Sequence, residues 1–183
     1  MVALDISADL LAGASTRKLA PDGVRFLERR IEDCSLEDPE LAEWALEGFD
    51  AIVGSSVLHH LELESALASV TRLLRPGGWI GFAEPNLLNP QVFLERNARG
   101  LFPYVSKDEW TIIRWSMSKR LADAGFDEVE NTPFDWLHPS TPAFLIPGVL
   151  RVGTMLESLP GLREFAGSVL IRGRRPPLVR GVG

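Results

Sequence analysis

Cysteine is almost absent from this chain. Cys34 is the single one in 183 residues, which excludes an internal disulfide framework and fits a reducing compartment. Apolar runs never approach the roughly 20 residues needed to cross a bilayer. The opening stretch MVALDISADLL lacks the basic segment and small-residue cleavage site of a secretion signal. Positive charge is also in deficit, with 19 Lys and Arg against 25 Asp and Glu and a net charge of −6. That balance argues against a nucleic-acid binder working through general electrostatics. Repeats and low-complexity stretches are missing too. What is present, 45% hydrophobic and 24% charged residues, describes one globular domain over residues 1–173, a cytoplasmic enzyme or binding protein. The tail 174–183, basic and rich in Pro and Gly, reads as a flexible end or a contact for an anionic partner.

Short apolar, β-branched runs alternate with stretches of helical spacing. Val2–Asp5, Val24–Leu27, Phe49–Gly54 and Trp79–Ala83 read as strands. Between them lie a helix capped by Ser7, another over Pro39–Leu46, and a third over Leu61–Leu74, stopped by Pro76-Gly77-Gly78. This alternation predicts an α/β domain with a mostly parallel sheet. Helices over Lys107–Ala124 and Ala143–Leu159 follow, with strands at Phe126–Leu137, interrupted at Pro133, and at Ser168–Arg172. The two late strands predict an antiparallel edge.

Local chemistry narrows the function. Ser56 is no hydrolase nucleophile, because the elbow G-x-S-x-G needs glycine where Leu58 stands. His59 and His60 are adjacent and do not face one way, and neither Cys34 nor His138 stands at a ligand spacing, so no metal site is expected. Asp5 stands at the C-terminal tip of a strand, where a carboxylate either accepts ribose hydroxyl protons or starts a helix. Glu84-Pro85-Asn86 leaves another strand at the corresponding end, where polar groups face a ligand or organise a turn. Gly54-Ser55-Ser56 allows close backbone approach.

FDAIVGSSVLHHL, LLRPGGWIGFAEPN and LADAGFDEVE, in that order and spacing, resemble the class I S-adenosylmethionine-dependent methyltransferases of the small-molecule branch. The resemblance implies a Rossmann-like methyltransferase sheet, S-adenosylmethionine as cofactor and a small-molecule acceptor. It implies Asp5 as the ribose acid, Ile6 packing on the adenine, and Ser55 and Ser56 beside the methionine and methyl end. Arg30 falls where the family usually has an adenine-facing Asp. Either Glu32 or Asp33 takes that part, or the backbone at Ile31 does. His60 becomes a proton acceptor beside the cavity or a merely packed side chain. Glu84 becomes a partner of the sulfonium or of a substrate proton, and Asn86 a substrate-pocket residue. Segments 87–110 and 139–165, which hold Phe93, Leu101, Phe102, Tyr104, Phe144 and Leu150, read as lids over an apolar substrate, as a dimer contact, or as ordinary packing.

One family feature is not in the sequence. No glycine-rich turn follows a strand anywhere, and Met1 lies four residues before Asp5. The expectation is a sheet without its first central strand, an N-terminally truncated chain that binds cofactor poorly. A catalytically inactive binding subunit is the alternative. A nicotinamide-dependent oxidoreductase ranks last, because it leaves LLRPGGWIGF and AGFDEV unexplained.

Overall fold

A computed structural model describes residues 1–17, 23–97, 112–138 and 140–178. Leu101, Phe102, Tyr104, the expected helix start at Lys107, and the last five residues of the tail lie outside these. Strands β1 (Val2–Asp5) and β2 (Arg25–Glu28) flank helix α1 (Ala8–Ser15). A short α2 (Pro39–Ala42), β3 (Phe49–Ser55), α3 (Leu63–Leu73) and β4 (Leu74–Pro85) follow. Next come α4 (Pro90–Asn97), α5 (Arg114–Asp123) and β5 (Asp127–Phe134). The chain then forms α6 (Ile146–Glu157), α7 (Pro160–Arg163) and β6 (Ser168–Arg174).

The strands form two ladders. β1 and β2 pair in parallel, and a four-stranded sheet has the order β3-β4-β6-β5. In that sheet β3 and β4 are parallel, while β6 is antiparallel to both β4 and β5. The antiparallel edge expected from the last two strands is therefore present. So is the break in the sheet, since β1 and β3 each have one edge without a ladder partner among the described residues. The two ladders still share a core: Val2 and Leu4 of β1 and Phe49 and Ile52 of β3 pack on Leu27, Cys34, Leu41 and Leu73.

The main core lies on one face of the larger sheet. Leu63, Leu67 and Val70 recur at helical spacing on α3 and meet Ile80 and Phe82 of β4, Val169 and Ile171 of β6, and Met117 and Leu121 of α5. The other face is open. Val53 is 75% exposed and Leu170 36%, and the guanidinium groups of Arg172 and Arg174 lie 5.5 and 5.6 Å from the Trp79 ring centre.

Several boundaries differ from the sequence reading. β4 begins at Leu74, which pairs with Phe49, before Arg75–Gly78 loop out and pairing resumes at Ala51 and Trp79. Gly78 permits the crowding, because a Cβ there would stand 2.9 Å from Arg75 O and 3.0 Å from Phe49 O. Pro133 does not interrupt β5. It pairs with Val169 on the outermost strand, where a missing N–H leaves no ladder gap. The tail also starts later than expected. Arg174 is still in β6, and Arg175 exchanges backbone hydrogen bonds with Gly77 and Gly78 at 2.9 and 2.8 Å. Leu67 is 2% exposed inside this core, so Leu67→Ala should cost about 2–5 kcal/mol. Urea denaturation followed by circular dichroism measures it.

Candidate functional site

β3 and β4 are parallel and pair up to Ser55 and Ala83. Pro85 pairs with Ser168, which pairs with Phe134. The C-terminal ends of β3, β4 and β5 therefore share one rim, the side where open α/β sheets bind ligands. The turn after β3 folds tightly over β4. A Cβ on Gly54 would lie 2.7 Å from Val57 Cγ1 and 2.9 Å from the Phe82 ring. Ser56 adopts φ 53°, a left-handed conformation costing a serine about 1–2 kcal/mol. Its N–H donates to Ala83 O at 2.8 Å. Ser55 and Ser56 are both exposed on this turn.

Glu84 holds the turn in place. Its Oε1 accepts the N–H groups of Val57 and Leu58 at 2.9 and 2.8 Å, and Oε2 accepts His59 Nδ1–H at 2.6 Å. A carboxylate only accepts, so the shared proton fixes the His59 tautomer. The Glu84 side chain is 0% exposed and that of His59 6%. The sequence reading put Glu84 beside the reacting groups, but both its oxygens are engaged inside the protein. It also favoured His60, whereas the buried carboxylate takes His59. His60 is exposed, its ring centre 4.1 Å from that of His59. The adjacent pair of histidines was the only sign of this in the sequence, and the side on which each would point was not legible.

Asn86 is likewise consumed by structure. Its Nδ2 donates to Glu164 O and Ala166 O, both at 2.8 Å, its Oδ1 accepts Leu88 N–H at 3.2 Å, and the residue is 1% exposed. It fastens the segment before β6 to the end of β4. The sequence reading missed the ion pair beside it, Arg114 with Glu164, whose two contacts are 2.7 and 2.8 Å.

At the other ladder, Asp5 ends β1. Its Oδ1 accepts Ser7 N–H at 2.8 Å, and Ser7 Oγ caps α1 through Leu10 N–H at 3.3 Å. Ser7 is thus the cap, and the second Asp5 oxygen has no partner among the described residues. Ile6 beside it is 72% exposed. After β2 a 3-10 turn spans Ile31–Asp33. Ile31 packs on both apolar clusters, and Asp33 is exposed. Glu32 is different. Its side chain is only 8% exposed, Oε1 meets the Arg30 guanidinium at 3.3 Å, and Oε2 is buried without a hydrogen-bond partner. The hydrogen bond to Glu32 raises the Arg30 pKa above its ordinary value. Next along, burial pushes the Cys34 thiol up, and Arg29 only partly opposes this. No group of three or more His, Cys, Asp or Glu among the described residues could hold a metal ion, and no described helix is long and apolar enough to cross a membrane.

Comparison with known proteins agrees with this geometry. A family model described as a methyltransferase domain matches residues 1–80. Uncharacterized methyltransferases of Mycobacterium tuberculosis and Mycobacterium bovis are 34% identical over 93 residues, covering 49% of this chain and 43% of theirs. The chain thus spans less than half the length of the curated relatives it matches. Among solved structures, a SAM-dependent methyltransferase of Thermotoga maritima, described as a possible histamine N-methyltransferase, superposes with a TM-score of 0.66. It shares 19% identity and is aligned over 95% of this chain and 72% of its own. The N-methyltransferase NodS of Bradyrhizobium japonicum, crystallised with S-adenosyl-L-homocysteine, gives a TM-score of 0.56 at 17% identity over 96% and 66% of the two chains. The fold is that of the S-adenosylmethionine-dependent methyltransferases. With the family match over residues 1–80 and the curated relatives, the chain is similar to such methyltransferases in sequence as well as in fold.

Two outcomes follow from these contacts. Glu84→Ala leaves two N–H groups and an imidazole buried without their acceptor, so stability should fall by about 3–5 kcal/mol in urea denaturation. A raised thiol pKa favours the protonated form, so Cys34 contributes stability below the ordinary thiol pKa and loses it as pH rises through the higher folded value. Native Cys34 should accordingly react with a disulfide reagent more slowly at pH 8 than in the urea-unfolded chain, as followed by absorbance.

Proposed function

We propose that the chain takes part in S-adenosylmethionine-dependent methyl transfer to a small molecule, with the cofactor lying along the rim from Asp5 to the turn after β3. The observation that carries this reading is the buried, unpartnered Oε2 of Glu32. A desolvated carboxylate oxygen without a partner is costly, and a ligand donor such as the adenine amino group would relieve it. This favours Glu32 over Asp33, which faces solvent. The free oxygen of Asp5 is available to ribose hydroxyls, and exposed Ile6 offers an apolar surface for the base. Ser55 and Ser56 bring backbone and hydroxyl groups to the methyl-proximal end.

When bound, S-adenosylmethionine supplies a methyl group activated by positive sulfur, whose carbon–sulfur bond breaks as the acceptor's lone pair takes the carbon. The protein mainly aligns the two. In this reading Glu84 and His59 are positioning residues that fix the turn, and exposed His60 accepts a proton from an acceptor that must lose one. Calorimetric titration of S-adenosyl-L-homocysteine tests the site. The chain itself should bind weakly, and a form carrying a related methyltransferase's strand and glycine-rich turn at its N-terminus more tightly. Asp5→Asn and Glu32→Gln should each weaken binding by the extended form about tenfold, roughly 1.4 kcal/mol. Binding by neither form overturns the reading.

A further inference from the structure

The connection from β5 to α6 borders a half-open cavity of about 240 Å³ that the cofactor reading does not use. Phe134, Trp136 and Leu137, at and beyond the end of β5, form one wall, and Val149 and Leu150 of α6 the other. α6 comes close because of Gly153, where a Cβ would lie 3.2 Å from both Cβ and Cδ1 of Trp136. The cavity is therefore apolar and aromatic over most of its lining.

Two carboxylates also line it, Asp135 and Glu157. Each is tied to the backbone of this wall: Glu157 Oε1 accepts Asp135 N–H at 2.9 Å, and Asp135 Oδ1 accepts Leu137 N–H at 2.8 Å. Among the described residues neither has an ion-pair partner, and no Lys, Arg or His lines the cavity. Two carboxylates with no cationic side chain of the described residues beside them make the lining complementary to a positively charged group. Aromatic walls favour the same charge through their negative ring faces. A divalent metal ion fits poorly, since hard cations take six or more oxygens and no described cluster offers even three ligating side chains.

We propose that this cavity binds a small protonated organic amine with an apolar body, the class of molecule that anchors the methyl acceptor. Binding stands on the cavity itself, and only the acceptor's part rests on the methyl-transfer reading. Phe134 ends β5 on the rim already described, and β5 lies three strand positions from β3, about 14 Å at the usual strand spacing. The amine group is thus the handle of the acceptor, and its far end reaches toward the turn after β3.

Calorimetric titration of 2-phenylethylamine, 2-phenylethanol and phenylacetate into the chain at pH 7, without cofactor, tests this. The amine should bind at least tenfold more tightly than the alcohol, and the acid should not bind. Glu157→Gln keeps an oxygen for Asp135 N–H and should reduce the amine's advantage to under threefold. Leu150→Trp fills the cavity and should abolish binding with the circular dichroism spectrum unchanged. Equal affinity for amine and alcohol, undiminished binding in both variants, or no binding of the amine overturns the proposal. Because no cofactor is present, such a failure leaves the S-adenosyl-L-homocysteine titration standing, and failure of that titration leaves the amine site standing.

Discussion

The candidate site depends on one buried carboxylate. Glu84 sits at 1% exposure, where an unpaired charge would be prohibitive, and it persists because two backbone N–H groups and an imidazole converge on it. Those partners belong to residues 57–59, so the charge ties the end of β4 to the turn after β3. Ser56 keeps its left-handed backbone under this tie and its own bond to Ala83. A turn of exposed serines would otherwise wander. Exposed His60 and buried His59 differ for the same reason, since only one ring can reach the carboxylate.

A second constraint is the division of the strands into two ladders. Apolar packing joins them, through Val2, Leu4, Phe49 and Ile52 on a common cluster, but no strand ladder among the described residues does. Two strand edges consequently present backbone groups without ladder partners, and unpaired edges are templates for further pairing. The larger sheet also has only one covered face. Val53 and Trp79 look outward, the latter beneath Arg172 and Arg174. Proposed cofactor contacts fall on both ladders, Asp5 and Glu32 on one and Ser55 and Ser56 on the other. The shared apolar cluster holds the two ladders together.

Much of the fold was legible in the sequence. The apolar spacing of α3, the cap at Ser7 and the antiparallel pair at the end of the chain stand as periodicity and turn chemistry indicated. These are local properties, set by side chains a few residues apart. The apolar run of β3, by contrast, reads as a buried strand but has no buried residue, because one face of its sheet is uncovered. Boundaries that depended on distant partners were less legible. β4 starts early because Phe49 is there to pair with Leu74, and β6 runs on because Gly77 N–H donates to Arg175 O and Gly78 O accepts from Arg175 N–H. Pro133 stays in its strand because that strand is outermost.

The site divided along the same line. Sequence alone determined the residue types at the strand ends, Asp5 on β1, Ser55 and Ser56 at the end of β3 and Glu84 near the end of β4, because a strand's direction and end follow from its own pattern. Only the tertiary structure decided which of them is free to meet a ligand. It occupied Glu84 and Asn86 with internal bonds, left Glu32 with a buried oxygen and no partner, and formed a half-open cavity beside Asp135, Trp136 and Glu157 that no motif announced. Hydrogen-bond satisfaction is a property of groups brought together from 20 to 80 positions apart, and no local pattern encodes it.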